Sequence, residues 1–305
     1  MIAGSSPISS VVAAPANGSR WLAVLADVTR SRSALAGSFI LVVLLLTTLL
    51  GPLVWTVDPV AVDLTQRFSV PVWAEGGAWL HPLGTDNLGR DVLARLLNGA
   101  RISLLVAFST VIVSMLVGVT LGVVSGYFGG HVDSVVMRIG DIFLAYPFML
   151  LTISIIAILG PSLVNLILVL ALSDWVTYAR TIRGSVLSVK TREFVTAAHA
   201  IGSSHTYIIG RHILPNVMAP VLVLGTVRAA NYIIWESGLS FLGMGVPPPT
   251  ATWGMMLAEG RNYILNAGWL ITLPGIAIML TILSINLLGD GLRDVFDPRL
   301  KRTLK

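Results

Sequence analysis

Arg228 and Glu236 are the ionisable residues set deepest in an otherwise apolar stretch, 217–243. A charge inside a bilayer is costly and is retained where it faces a bundle interior or a water-filled path. The two lie about 12 Å apart in helix rise, too far to bond each other. Asn231, Tyr232 and Trp235 share or flank the face of Arg228 at helical spacing. This face, Glu236 included, is expected to line a translocation pathway or a subunit interface. The competing reading pairs each charge with some other structural group. Asp174 with Tyr178, and Arg138 with Asp141, are expected to pair structurally near a membrane surface.

Other chemistries lack their residues. The 305-residue chain has no cysteine, which removes disulfides, thiolate metal sites and cysteine nucleophiles. Neither G-x-x-x-x-G-K-[ST] nor H-E-x-x-H occurs, so the chain carries no P-loop for ATP phosphates and no zincin motif. The spans show no carboxylate chain of the kind a proton relay uses. The expectation is therefore no catalytic residue, no metal and no cofactor bound by this chain.

The elements that must hold these residues follow from composition. Apolar residues make up 55% and charged residues 11%, against about 25% charged in a soluble domain. Mean hydropathy is +0.84. Lipid is the solvent implied for most of the chain. A span needs about 20 mostly apolar residues, and the candidates are 33–56, 102–127, 135–159, 162–182, 217–243 and 264–288. Gly160-Pro161-Ser162 is a turn signal that splits one long uncharged run into the third and fourth. Pro147 and Pro274 are expected to kink their helices. The fold class is thus all-α membrane protein with about six transmembrane helices.

Lys and Arg crowd the tail before the first span, the connection after the fourth and the C-terminal tail. The positive-inside rule then puts both termini and loop 183–216 in the cytoplasm. The net charge of +5 reflects that clustering and gives no reason to expect nucleic acid. The organisation expected is a cytoplasmic tail over 1–32, a first helix over 33–56 and an extracytoplasmic loop over 57–101. A five-helix core over 102–289 and a cytoplasmic tail over 290–305 follow.

Two loops carry patterned residues. In the cytoplasmic one, Glu193 to Ile201 reads as a short helix ended by Gly202. Ser204 can cap a second helix that Pro215 closes off. Small residues at 197, 198, 200 and 202 let another backbone approach. Such a knuckle suits a groove on a soluble partner, and equally a helix resting on the lipid surface. In the extracytoplasmic loop, Asp86 or Asn87 can cap a helix over 88–98, with Asp91 in its first turn and Arg95 in its second. This entry segment, with Asp86, Arg90 and Asp91, reads as a structural cap or as part of a surface that receives another protein.

The string from Arg192 through Gly202 to Pro215 resembles the ATPase-coupling loop of ABC importer permeases, which runs E-A-A, three residues, G, nine residues, I-x-L-P. Ala197, Ala198, Gly202, Leu214 and Pro215 match, while Thr196 stands for the Glu and His212 for the Ile. Glu193 opens the helix. His81-Pro82-Leu83-Gly84-Thr85-Asp86-Asn87-Leu88-Gly89-Arg90-Asp91 and Glu236-Ser237-Gly238-Leu239-Ser240-Phe241-Leu242-Gly243 are similar to C-type permeases of dipeptide and oligopeptide importers. The stretch 71–77 is most similar to the dipeptide branch. The resemblance spans 33–302. It implies a type I ABC importer permease-like core with one extra N-terminal helix, in a bacterial cytoplasmic membrane. It implies a homologous second permease subunit, two ATPase subunits or domains holding ATP and Mg, and an extracytoplasmic substrate-binding protein. The implied cargo is dipeptides or short peptides, with longer oligopeptides or a nickel chelate as alternatives. An ion-coupled secondary transporter would instead show an internal repeat and intramembrane coupling residues.

Overall fold

The structure, a computed structural model, describes residues 31–296 of the chain. Among them the regular structure is helical, with one isolated antiparallel bridge, Thr85–Asp91. Five helices are long and apolar enough to cross a membrane, or six crossings if one bent pair counts as a span. The expected N-terminal tail over 1–30 and the end of the expected C-terminal tail, 297–305, lie outside the described residues.

Helix α1 (Arg32–Val54) starts at Ser31, whose hydroxyl accepts from the Ala34 amide. Most of its side chains are exposed and apolar, as a lipid-facing helix requires. It packs on α10 (Trp269–Phe296) where Gly37 sits against Leu287 and Ser284, and Ala34 against Gly291. The absent side chains let the two backbones close up.

Helix α2 (Val92–Phe128) is one continuous helix of 37 residues. The separate helix over 88–98 and the span from 102 are therefore a single element. Asp91 is its N-cap, accepting from the Ala94 amide at 2.7 Å, and neither Asp86 nor Asn87 takes that role. α3 (Gly130–Ala145) and α4 (Phe148–Leu159) meet at 89°. Pro147 has no amide hydrogen, and Tyr146 before it is extended, so the helix breaks there. α10, by contrast, runs unbroken through Pro274. It also extends past 290, so the expected C-terminal tail begins inside a helix.

Gly160, at φ +82°, turns the chain into α5 (Leu163–Lys190), capped by Ser162. α5 packs along α2. A Cβ on Gly118, Gly122 or Gly126 would press on Tyr178, Ala179 or Val186 respectively. Then come α6 (Glu193–Ala200), α7 (His205–Ile208), a π-helical segment Ile209–Ile213 and α8 (Leu214–Phe241). Pro215 does not close the second loop helix. It stands in the first turn of α8, directly after the π-helical segment. α9 (Trp253–Gly260) tucks back against α2, with the Trp253 indole donating to the Leu96 carbonyl at 3.1 Å.

Candidate functional site

Three groups of the singled-out residues form three separate stations along the bundle. The first is the hairpin α6–α7. Val195 and Ala198 are buried in a cluster with Val189, Ile208, Ile213 and Val217, and Leu214 packs beside it. This anchors one face of α6. Gly202, at φ +78°, forms the elbow, closed by hydrogen bonds from its amide to the His199 carbonyl and from the Ser203 amide to the Ala198 carbonyl. Ser204 caps α7 from the other side, accepting from the Tyr207 amide at 3.3 Å. Glu193, Thr196, Ala197 and Gly202 are exposed. The elbow borders a cleft of about 640 Å³ lined by Phe194, Ala197, Ile201, Tyr207 and His212. His212 is half-buried between the Phe194 and Tyr207 rings. The expected helix, break and cap are all present.

The second station lies between α5 and α8. Arg228 Nε is 3.4 Å from Asp174 Oδ2, and its Nη2 donates to Thr177 at 3.1 Å. The guanidinium also rests 5.9 Å from the Trp235 ring centroid. Asp174 accepts from the Tyr232 hydroxyl at 2.9 Å and from Thr177 at 2.8 Å. The structural partner of Arg228 is thus Asp174. The expected Asp174–Tyr178 pair does not form; among the described residues the buried Tyr178 hydroxyl has no hydrogen-bond partner. Asp141 pairs with Arg180 at 2.5 Å rather than with Arg138, because α3 turns it towards α5.

Positions 228, 232 and 236 share one face of α8, and that face turns inward. Tyr232 and Glu236 are 0% exposed. Glu236 accepts from Ser240 at 2.7 Å and lies beside Ser237. These two are therefore buried within the chain. Arg228, at the edge of the face, retains 20% side-chain exposure. Asn231 and Trp235 are half-buried next to the exposed Val227 and Ile234.

The third station joins the entry segment to α2 and α9. Asp86 accepts from Arg90 Nε at 2.6 Å and Arg95 Nη1 at 2.9 Å, and also from the Leu88 and Arg90 amides. Glu259 accepts from the same two arginines at 2.9 and 2.7 Å. Asp91, besides capping α2, accepts from the Trp55 indole at 3.1 Å and lies 2.8 Å from His81 Nδ1. Gly89, at φ +75°, lies against the Asp63 carbonyl, leaving no room for a Cβ. Thr65, through its hydroxyl and amide, holds the Asp63 carboxyl below its ordinary range. Sequence reasoning found Asp86, Arg90 and Asp91 but missed Glu259, His81 and Trp55. Nothing in local spacing links Glu259 to residues so distant in sequence.

Residues 118–302 match the family described as binding-protein-dependent transport system inner membrane component. Residues 19–71 match the N-terminal TM domain of oligopeptide transport permease C. The chain is 41% identical over 271 residues to a di/tripeptide transport system permease protein DppC of Pseudomonas aeruginosa, covering 89% of each chain. It is 40% identical to the dipeptide transport system permease protein DppC of Haemophilus influenzae, covering 90% of this chain and 92% of that one. A probable D,D-dipeptide transport system permease protein, DdpC, of Escherichia coli is also 40% identical over 85% of each. Among solved structures, a chain of the MetNI methionine ABC transporter, in an inward-facing conformation, superposes with TM-score 0.54 at 18% identity. The match covers 67% of this chain and 97% of that one, a likeness of fold alone.

Proposed function

The chain belongs to the binding-protein-dependent transport system inner membrane component family, and from that footing we propose that it is a permease subunit of an ATP-driven importer of dipeptides or short peptides. Its multi-pass apolar helices suit the inner membrane named in the family description. Both termini and the α6–α7 hairpin are on the cytoplasmic side in this reading, and the Asp86 station is outside.

The observation that carries the mechanism is the form of the hairpin. One face of α6 is fixed by burial, while the Gly202 elbow and its cleft stay open to a partner. ATPase subunits holding ATP and Mg grip this elbow, and a second, homologous permease subunit completes the pathway. An extracytoplasmic binding protein delivers the peptide to the entry segment. No covalent step falls to this chain. Its work is the differential stability of two helix packings, biased by partner contacts. Peptide as cargo rests on the names of the relatives, each about 40% identical.

Co-purification of the ATPase subunits from membranes, lost when 196–202 is altered, is the expected outcome. Ion-driven uptake by the chain reconstituted alone would overturn the reading. Arg228, with Asn231 and Trp235, is assigned to the pathway or subunit interface. Arg228→Glu with normal assembly and unchanged uptake would remove that assignment.

A further inference from the structure

Tyr127, in the last turn of α2, is 4% exposed. Its hydroxyl lies 2.8 Å from His205 Nδ1 and 3.3 Å from His199 Nε2. The two histidines flank the elbow: His199 is in the last turn of α6 and His205 begins α7. Lys190, the last residue of α5, donates its ammonium to the Tyr127 carbonyl and sits 5.8 Å from the ring centroid. Four helices therefore meet on one phenol.

A phenol has one proton. It can bridge two imidazoles by donating to one and accepting an N–H from the other. Burial of Val195 and Ala198 already anchors α6, so these bonds add direction rather than bulk. They tie both arms of the elbow to α2, which in turn is close-packed on α5 at Gly118, Gly122 and Gly126. We propose that Tyr127 is a positioning residue of the transport cycle, whose hydroxyl passes displacement of the α6–α7 elbow into α2. This rests on the reading of the elbow as the ATPase contact.

The test uses the full complex in proteoliposomes with a radiolabelled dipeptide, measuring peptides imported per ATP hydrolysed. Tyr127→Phe keeps the ring and removes both bonds. The ATPase subunits should stay bound and hydrolysis should persist. The import-to-hydrolysis ratio should fall by about 5- to 30-fold, the factor expected for one or two hydrogen bonds. His205→Ala should give a similar fall, with no further loss when combined with Tyr127→Phe. A wild-type ratio in Tyr127→Phe overturns the proposal. If that variant does not assemble, the double variant His199→Ala/His205→Ala removes the same bonds from exposed positions and decides by the same ratio. Failure of the underlying reading appears separately, as ATPases that remain bound when 196–202 is altered.

Discussion

At the entry-segment end, two arginines and two carboxylates close on one another at 2.6–2.9 Å, and Arg95 is 2% exposed. At the hairpin end, Arg192 and Arg211 stand exposed, and α6 is held by apolar burial and by Tyr127. The first arrangement satisfies its charges internally and fixes a loop in one place. The second leaves charge, small residues and a cleft exposed. The two ends differ in how they treat their charges: the entry-segment end pairs them within the chain, and the hairpin end leaves them exposed.

That contrast can be broken most directly at Arg95. Arg95→Ala leaves Asp86 and Glu259 short of a buried counter-charge, and about 3–5 kcal/mol of stability should be lost. Unfolding midpoints in detergent would read this, and a variant as stable as wild type would mean the charges are not locked. Between the ends, Gly122→Val forces a side chain against the Ala179 carbonyl. Overpacking there should cost about 1–3 kcal/mol in the same assay, and a smaller loss would mean that α2 and α5 slide apart easily. At the hairpin, Ala197→Asp should change stability by less than about 0.5 kcal/mol yet abolish ATPase capture in pull-downs. A large stability loss would make the hairpin as self-contained as the other end.

The smallest effect concerns Asp63, whose carboxyl is held below its ordinary value of 3.8 by Thr65. Its contribution is present above that value and lost as pH falls through the lowered one. Hydrogen exchange of the Thr65 amide, corrected for intrinsic rate, should lose protection only in that acid range. In Asp63→Asn the pH dependence should vanish.

Much of this was legible in the sequence where the signal is local. The α6 helix, its Gly202 break and the Ser204 cap each depend on residues a few positions apart. The break at Pro147 follows from a missing amide hydrogen, and the turn at Gly160 from a positive φ. What was not legible is pairing across elements. Asp174 was read with Tyr178 on its own helix, but the structure gives it Tyr232 and Arg228 from α8. Glu236 was read as a pathway charge from its depth in a span, which says nothing about which way a face turns. The long α2 was divided at 102 because charges before that point suggested a loop. Glu259, one counter-charge of Arg95, comes from a segment that sequence spacing does not connect to α2.

A 37-residue helix is about 55 Å long. α2 begins at Asp91 in the charged lock and ends beside Tyr127 at the elbow. The two patterned ends of the chain therefore sit on one rod. Thermodynamic linkage then requires reciprocity: if occupancy of the elbow changes affinity at the entry segment by some factor, a ligand at the entry segment changes affinity at the elbow by the same factor.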